Sequence, residues 1–141
     1  KIGVDHVVID DGSVAEKARE IIPSGVDTAL ELVGTPTLPD TLAATRLHGV
    51  VCFTGMLSNE WTVRDFYPID YIPRGVRLTA YAGEASDLPA HILQDFLDTV
   101  AAGKAVVPLY RVYRLDQIRD AHAEMEAGSA TGKIVVLANG V

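Results

Sequence analysis

Residues 119–136, R-D-A-H-A-E-M-E-A-G-S-A-T-G-K-I-V-V, decide the fold class of this chain. Ala121, His122 and Met125, with Ile118 just upstream, recur at helical spacing and place one apolar stripe on a short helix. Gly128 stops it, because glycine enters the left-handed conformation at a helix end without a Cβ penalty. Gly132-Lys133 then opens an apolar, β-branched run over residues 133–137, which reads as a strand. A helix, a glycine stop and a strand in immediate succession form the closing unit of an α/β domain.

Upstream, the same alternation repeats. Residues 4–9 are a short β-branched run ended by Asp10-Asp11-Gly12, and Ser13 with Glu16 three residues on spells a capping box. Val14, Ala18, Ile21 and Ile22 stripe the helix that follows, and Pro23 forbids its continuation. Residues 26–33 form a mostly apolar strand, interrupted by Asp27 and Glu31 and ended by Gly34. Thr35-Pro36 reads as an N-cap with proline at the first helical position; Leu38, Leu42 and Thr45 carry the helix to Arg46, with Gly49 at its C′ position. Residues 50–54 are a continuous apolar run, as in a strand buried on both faces of a parallel sheet.

Residues 58–75 are long for a structureless loop, so a short helix is expected at residues 68–72. Residues 76–81 alternate as a fourth strand. Ser86 caps a long helix carrying Ile92, Leu93, Phe96, Leu97 and Val100, stopped by Gly103, and residues 110–115 read as a weak edge strand. No repeat, low-complexity tract or linker interrupts the chain, so one compact domain is expected.

Composition narrows the function classes. A chain of 141 residues fits one domain that buries roughly 68% of its unfolded surface. Twelve Lys+Arg against nineteen Asp+Glu give a net charge of -7. Such a chain repels phosphate backbones and has no basic run to offset this, so nucleic acid is not an expected partner. No apolar run approaches the ~20 residues that cross a bilayer, and no signal peptide opens the chain, so no membrane partner is expected. The lone Cys52, within Val50-Val51-Cys52-Phe53, excludes an internal disulfide and suits a reducing cytoplasm. Its apolar setting reads as packing rather than nucleophilic chemistry.

Three further segments join residues 119–136 in a family resemblance. Gly3-Val4-Asp5-His6-Val7-Val8 resembles "GADHVI", and Gly25-Val26-Asp27 through Leu32-Val33-Gly34 resembles "GVDvvlD-VG". Arg46-Leu47-His48-Gly49-Val50-Val51 stands where "L-P-G-G-R-L-V" is usual. Together with the C-terminal closure these are similar to the medium-chain dehydrogenase/reductase superfamily, in its zinc-independent quinone-oxidoreductase-like branch. The resemblance covers essentially the whole chain. The departures are Val4 for the usual Ala, Glu31 for the usual Asp, and His48-Gly49 for paired glycines.

The resemblance implies an α/β, Rossmann-like parallel sheet with strand order 3-2-1-4-5-6, here supplied from the third strand onward. The glycine-rich turn of the family is absent from this sequence, which begins at Lys1 rather than Met. Residues 1–141 are thus expected to be the C-terminal part of an NAD(P)-binding domain, incomplete for want of its first βαβ unit, with the substrate domain absent. The implied cofactor is NADP or NAD. In such folds ligands sit outside the carboxyl ends of the strands. This gives Val33, Gly34, Thr54, Gly55, Met56, Leu57 and Tyr81, followed by Ala82, as the cofactor-facing rim. Gly34 and Gly55 are expected there to admit backbone close to the cofactor. Lys133 is either a cofactor contact or a solvated strand-end cation.

Other chemistry is less well supported by the residues. His6, His48, His91 and His122 have no metal-ligand spacing among them or with Cys52, so no metal is expected. His122 reads as a packing residue and His48 as an exposed turn residue. No G-x-S-x-G elbow is present, so no nucleophile is assigned, and catalytic residues are expected to be none. Asp10-Asp11 is turn chemistry. Asp27 and Glu31, four apart in a strand, share a face. Trp61, Phe66, Tyr67 and Tyr71 form an aromatic-rich region that lines a pocket, meets a subunit, or packs.

The resulting expectation is a fragment of an NAD(P)H-dependent oxidoreductase that transfers a hydride to a quinone, enone or related carbonyl, a small-molecule substrate. The isolated chain is expected to be inactive. It is also expected to form homodimers or larger assemblies through strand edges, unless residues 4–9 move to pair with residues 26–33. The alternatives are a methyltransferase-like α/β domain, suggested by Val26-Asp27 and Leu47-His48-Gly49-Val50, and a non-catalytic self-associating module.

Overall fold

The computed structural model describes residues 3–138. Its strands are β1 (Val26–Glu31), β2 (Thr45–Phe53), β3 (Arg77–Ala80), β4 (Leu109–Arg114) and β5 (Lys133–Leu137). Its α-helices are α1 (Val14–Ile21), α2 (Leu38–Ala44), α3 (Pro68–Tyr71), α4 (Ala90–Ala101) and α5 (Ile118–Glu126). Every strand pair is parallel, as the alternation of strand and helix requires. The chain folds as two compact units, Lys1–Gly83 and Glu84–Val141. The first holds a three-stranded sheet in the order β1-β2-β3 and the second a two-stranded sheet, β4-β5. The strands expected to continue one sheet therefore form a second one, because periodicity marks a strand without specifying its neighbour.

In the first unit, α2 lays Leu38 and Leu42 onto Val51 of β2 and onto Val76, and this buried cluster is flanked by Ala29, Phe53, Tyr71, Ile72 and Leu78. The helix starts later than Thr35-Pro36 suggests: Thr37 is its N-cap and Pro39 occupies the first turn. Pro39 is tolerated there because the missing N–H has no helical partner to lose.

The α1 helix lies against α2. The capping box expected from Ser13 and Glu16 does not form. Ser13 instead donates to Asp11 Oδ1 at 2.5 Å, and Asp40 of α2 caps α1 from a distance, its Oδ2 accepting from the Ala15 N–H at 3.0 Å. The Lys17 ammonium and the Ser13 hydroxyl hold the Asp11 carboxyl down to about 2. Arg19 returns the favour to α2: its guanidinium donates to the carbonyls of Ala43 at 2.9 Å, Thr45 at 3.1 Å and Pro23 at 3.4 Å. Helix-end carbonyls lack helical donors, so this contact satisfies groups that would otherwise need water.

Two expectations at strand ends are corrected. Residues 4–9 form no strand and pair with no neighbour among the described residues; Val4, Val7 and Ile9 are exposed. A β-branched run becomes a strand only where another strand completes its ladder, and β1 does not. The β2 strand begins at Thr45 rather than Val50, with a register irregularity beside Val26 and Thr28. Within it His48, not Gly49, takes the left-handed conformation, at φ 66°. Gly49 is glycine for another reason: a Cβ there would stand 2.5 Å from Thr45 Cγ2 and 2.9 Å from the Asp27 carbonyl oxygen.

In the second unit, α5 packs on β4 and β5. Tyr113 is buried and donates its hydroxyl to Glu124 Oε2 at 2.6 Å, while Arg111 pairs with Glu124 Oε1 at 2.9 Å. The Glu124 hydrogen bond, with desolvation, pushes the Tyr113 hydroxyl above the ordinary tyrosine range. His122 is exposed rather than packed, beside Met125, Ile134 and Val136. The α4 helix starts after Pro89, with a 3-10 turn at Ala85–Asp87 where Ser86 was expected to cap it. Its predicted stripe, Ile92, Leu93, Phe96 and Leu97, is about half exposed.

Candidate functional site

The carboxyl ends of β1, β2 and β3 lie at one rim, since the three strands are parallel and in register from Leu30 to Cys52 to Thr79. There an open groove of about 560 Å³ is lined by Phe53, Thr54, Met56, Trp61, Ala80, Tyr81 and Ala82. That size falls within the usual range of small-molecule sites, on the order of 300–1,000 Å³. Its walls are mostly apolar and include the flat indole of Trp61, the only tryptophan of the chain.

Backbone bonds fix the rim. The Tyr81 N–H donates to the Phe53 carbonyl at 3.0 Å, and Thr54 Oγ1 donates to the Tyr81 carbonyl at 2.8 Å. The Thr54 and Gly55 N–H groups both donate to the Glu31 carbonyl at 3.0 Å, and the Ser58 N–H to the Val33 carbonyl at 2.8 Å. Trp61 Nε1 donates to Asn59 Oδ1 at 3.1 Å, which orients the indole.

Glu31, the last residue of β1, is only 3% exposed. Its Oε1 accepts from the Val33 N–H at 2.8 Å, the Gly34 N–H at 3.0 Å and Thr37 Oγ1 at 2.8 Å; its Oε2 accepts a short bond from Thr41 Oγ1. Burial pushes this carboxyl up, but the bonds from Thr41, Gly34, Thr37 and Val33 outweigh burial and hold it below the usual carboxylate range. Tyr71, half-buried in the core, is pushed up by burial and by the charge of Glu31. Asp27, expected on the same face, is instead exposed and pairs with Arg46.

Of the residues picked out from sequence, Thr54, Met56 and Tyr81 line the groove together. Val33 and Gly34 lie in the adjoining turn, Val33 lining a smaller pocket of about 200 Å³ with Glu31, Thr37 and Thr41. Leu57 points to solvent, 82% exposed. Gly55 is explained by packing: a Cβ would stand 1.9 Å from the Leu32 carbonyl oxygen. Lys133 belongs to the second unit, exposed at the amino end of β5 beside Leu109. The aromatic-rich region divides. Trp61 lines the groove, whereas Phe66 meets Tyr71 edge-on at 5.0 Å and Tyr71 joins the core. Phe53 and Ala80 were missed as groove residues because each reads simply as the apolar end of a strand. Glu31 was missed as the organiser because its partners, Thr37 and Thr41, lie on the next helix.

No group of three His, Cys, Asp or Glu side chains among the described residues is placed to hold a metal ion. No helix among them is long and apolar enough to cross a membrane.

A parallel α/β arrangement with a groove at the carboxyl ends of its strands defines a partial Rossmann-like nucleotide-binding fold. Residues 2–136 match the family model described as "Zinc-binding dehydrogenase", and the chain belongs to that family, within the medium-chain dehydrogenase/reductase superfamily. The methyltransferase-like alternative loses its support with that assignment. The chain is similar in structure to the alcohol dehydrogenase of Aeropyrum pernix, with a TM-score of 0.73 and 24% identity over 96% of this chain and 37% of the other. It is also similar to mycobacterial Rv1454c complexed with NADPH, with a TM-score of 0.73 and 19% identity over 96% and 43%. A quinone oxidoreductase of Pseudomonas syringae gives a TM-score of 0.69 and 18% identity over 91% and 41%. The chain spans about two-fifths of the length of these proteins. No curated protein sequence matches it.

Proposed function

We propose that the chain is the nucleotide-binding part of an NAD(P)H-dependent oxidoreductase, whose whole protein transfers a hydride to a quinone, enone or related carbonyl. The observation that carries this reading is the groove formed by Thr54, Met56, Trp61 and Tyr81 outside β2 and β3. It fits the planar ring of a nicotinamide cofactor in size and in its apolar, partly aromatic walls. A bound nicotinamide cofactor would supply the hydride; Phe53, Met56 and Trp61 would hold it in the groove and exclude water there, and the Thr54–Tyr81 link keeps the rim in place. The described residues offer zinc no donor set, and no step is assigned to it. The family relationship and the solved structure complexed with NADPH support the cofactor class.

Titration with NADPH and NADH tests the reading through Trp61 fluorescence and backbone chemical shifts. Perturbation at Thr54, Met56 and Tyr81 is expected. Perturbation clustered at residues 116–128 would place the site elsewhere. The 141-residue chain itself is proposed to turn over no substrate, since the helix N-terminus that cradles the pyrophosphate is not among its residues. NADPH oxidation with quinones or enones at about 1 s⁻¹ or more would refute this.

The chain is further proposed to self-associate through the edge of β1. This strand has a neighbour on one side only among the described residues, and its Leu30 is 60% exposed. An unpaired edge of this kind invites another strand. Light scattering that returned only the 15.1 kDa monomer at every concentration would exclude it.

A further inference from the structure

Glu31 ties together the turns that build the groove. Its side chain holds the turn after β1 through the Val33 and Gly34 N–H groups, while its own carbonyl accepts from Thr54 and Gly55 in the turn after β2. Thr54 passes the link to the segment after β3 through the Tyr81 carbonyl. One residue thereby fixes the spacing of the groove wall, although it does not line the groove itself. A carboxylate suits this place because it is acceptor-only, and the groups facing its oxygens donate to it: the Val33 and Gly34 N–H groups and the Thr37 and Thr41 hydroxyls. A neutral amide keeps one acceptor oxygen for the turn amides, loses the charge that strengthens those bonds, and makes Thr41 give up its role as donor.

We propose that Glu31 is the positioning residue of the groove: its carboxylate holds the Val33–Gly34 turn, whose Val33 carbonyl and Thr35 hydroxyl bind Ser58 and Glu60 in the segment that carries Trp61, and it thereby sets where Trp61 stands in the groove and so the affinity for a nicotinamide cofactor. The affinity part rests on the function proposed above; the geometric part does not. Thr41 acts with it, as the donor to the second carboxylate oxygen.

The test uses the full chain and four variants: Glu31→Gln, Thr41→Val, Thr41→Ser and, as a control of the core, Leu42→Val. Leu42 is fully buried, does not line the groove and gives Glu31 no hydrogen bond, so its shortening loosens the core while every donor to Glu31 is retained. Trp61, as the sole tryptophan, reports on the groove without any ligand. Measurements are made where circular dichroism shows each variant folded. Glu31→Gln and Thr41→Val are expected to red-shift Trp61 emission and increase its quenching by acrylamide. Thr41→Ser, which keeps the hydroxyl, and Leu42→Val are expected to match the wild type. NADPH affinity is expected to fall by about tenfold in Glu31→Gln, the loss that one charge-assisted hydrogen bond brings, and to stay unchanged in Leu42→Val. Should Glu31→Gln not fold, the Thr41 pair decides the case. Emission unchanged in Glu31→Gln and Thr41→Val, or shifted equally in Leu42→Val, overturns the proposal. If the wild type shows no NADPH response at all, the cofactor reading fails, and the emission data still decide whether Glu31 positions the groove.

Discussion

Gly55→Ala separates two explanations of one glycine. If Gly55 exists to admit a cofactor, the variant should lose binding and keep its stability. The structure points the other way. An added Cβ would stand 1.9 Å from the Leu32 carbonyl oxygen and 2.2 Å from the Leu32 carbonyl carbon and Cα. Ordinary contact begins near 3.4 Å, so the two turns must part by about 1.5 Å, and the obstacle is backbone that cannot rotate aside. Overpacking of this sort costs about 1–3 kcal/mol. The same movement breaks the Gly55 N–H bond to the Glu31 carbonyl, now 3.0 Å, for a further ~1 kcal/mol. The expected loss of about 2–4 kcal/mol corresponds to a melting temperature lower by roughly 8–32 °C for a unit of this size. Thermal and urea melts of both proteins by circular dichroism measure it. A variant that melts within about 2 °C of the wild type would refute the packing argument, and doubly so if it had lost NADPH affinity.

Three further outcomes follow from the same contacts. The Glu31 carboxyl is held below its usual range, so its contribution to stability is complete above the ordinary carboxylate value of about 4.3 and is lost as pH falls through its folded value. Glu31→Gln should flatten that acid limb of stability against pH, and urea midpoints between neutral pH and pH ~3 with an unchanged slope would contradict the assignment. Arg19→Ala removes the donors to Ala43, Thr45 and Pro23 and should destabilise the first unit by about 1–2 kcal/mol, read as a lower urea midpoint; an unchanged midpoint would mean that water replaces the guanidinium without loss. Tyr113→Phe deletes the 2.6 Å bond to Glu124 and should cost about 1 kcal/mol, and a variant as stable as the wild type would show that this bond is neutral to folding.

The sequence by itself determined the elements. Apolar spacing in Leu38 and Leu42, in residues 50–53 and in residues 133–137 is local information, and each of these segments forms the helix or strand that its period demands. The short helix at residues 68–71 was legible from chain length and Pro68 alone. Family membership was legible too, because it rests on the order of residues. Thr54, Met56 and Tyr81 could be placed at the rim because parallel strands bring their carboxyl ends to one side.

Everything that depends on partners distant in sequence was decided only by the tertiary structure. Residues 4–9 have the composition of a strand and, among the described residues, no strand to pair with. Asp40, 25 residues away, takes the capping role that Ser13 and Glu16 were suited to fill. Gly55 is fixed by the Leu32 backbone, and Trp61 reaches the groove while Tyr71 joins the core. Glu31 looked like an interruption in an apolar strand. It became the centre of the rim because folding brings Thr41 and the turn amides to a carboxylate that burial by itself pushes above its usual range. Local spacing fixes which conformation a segment prefers, but the satisfaction of buried polar groups depends on what the fold places beside them.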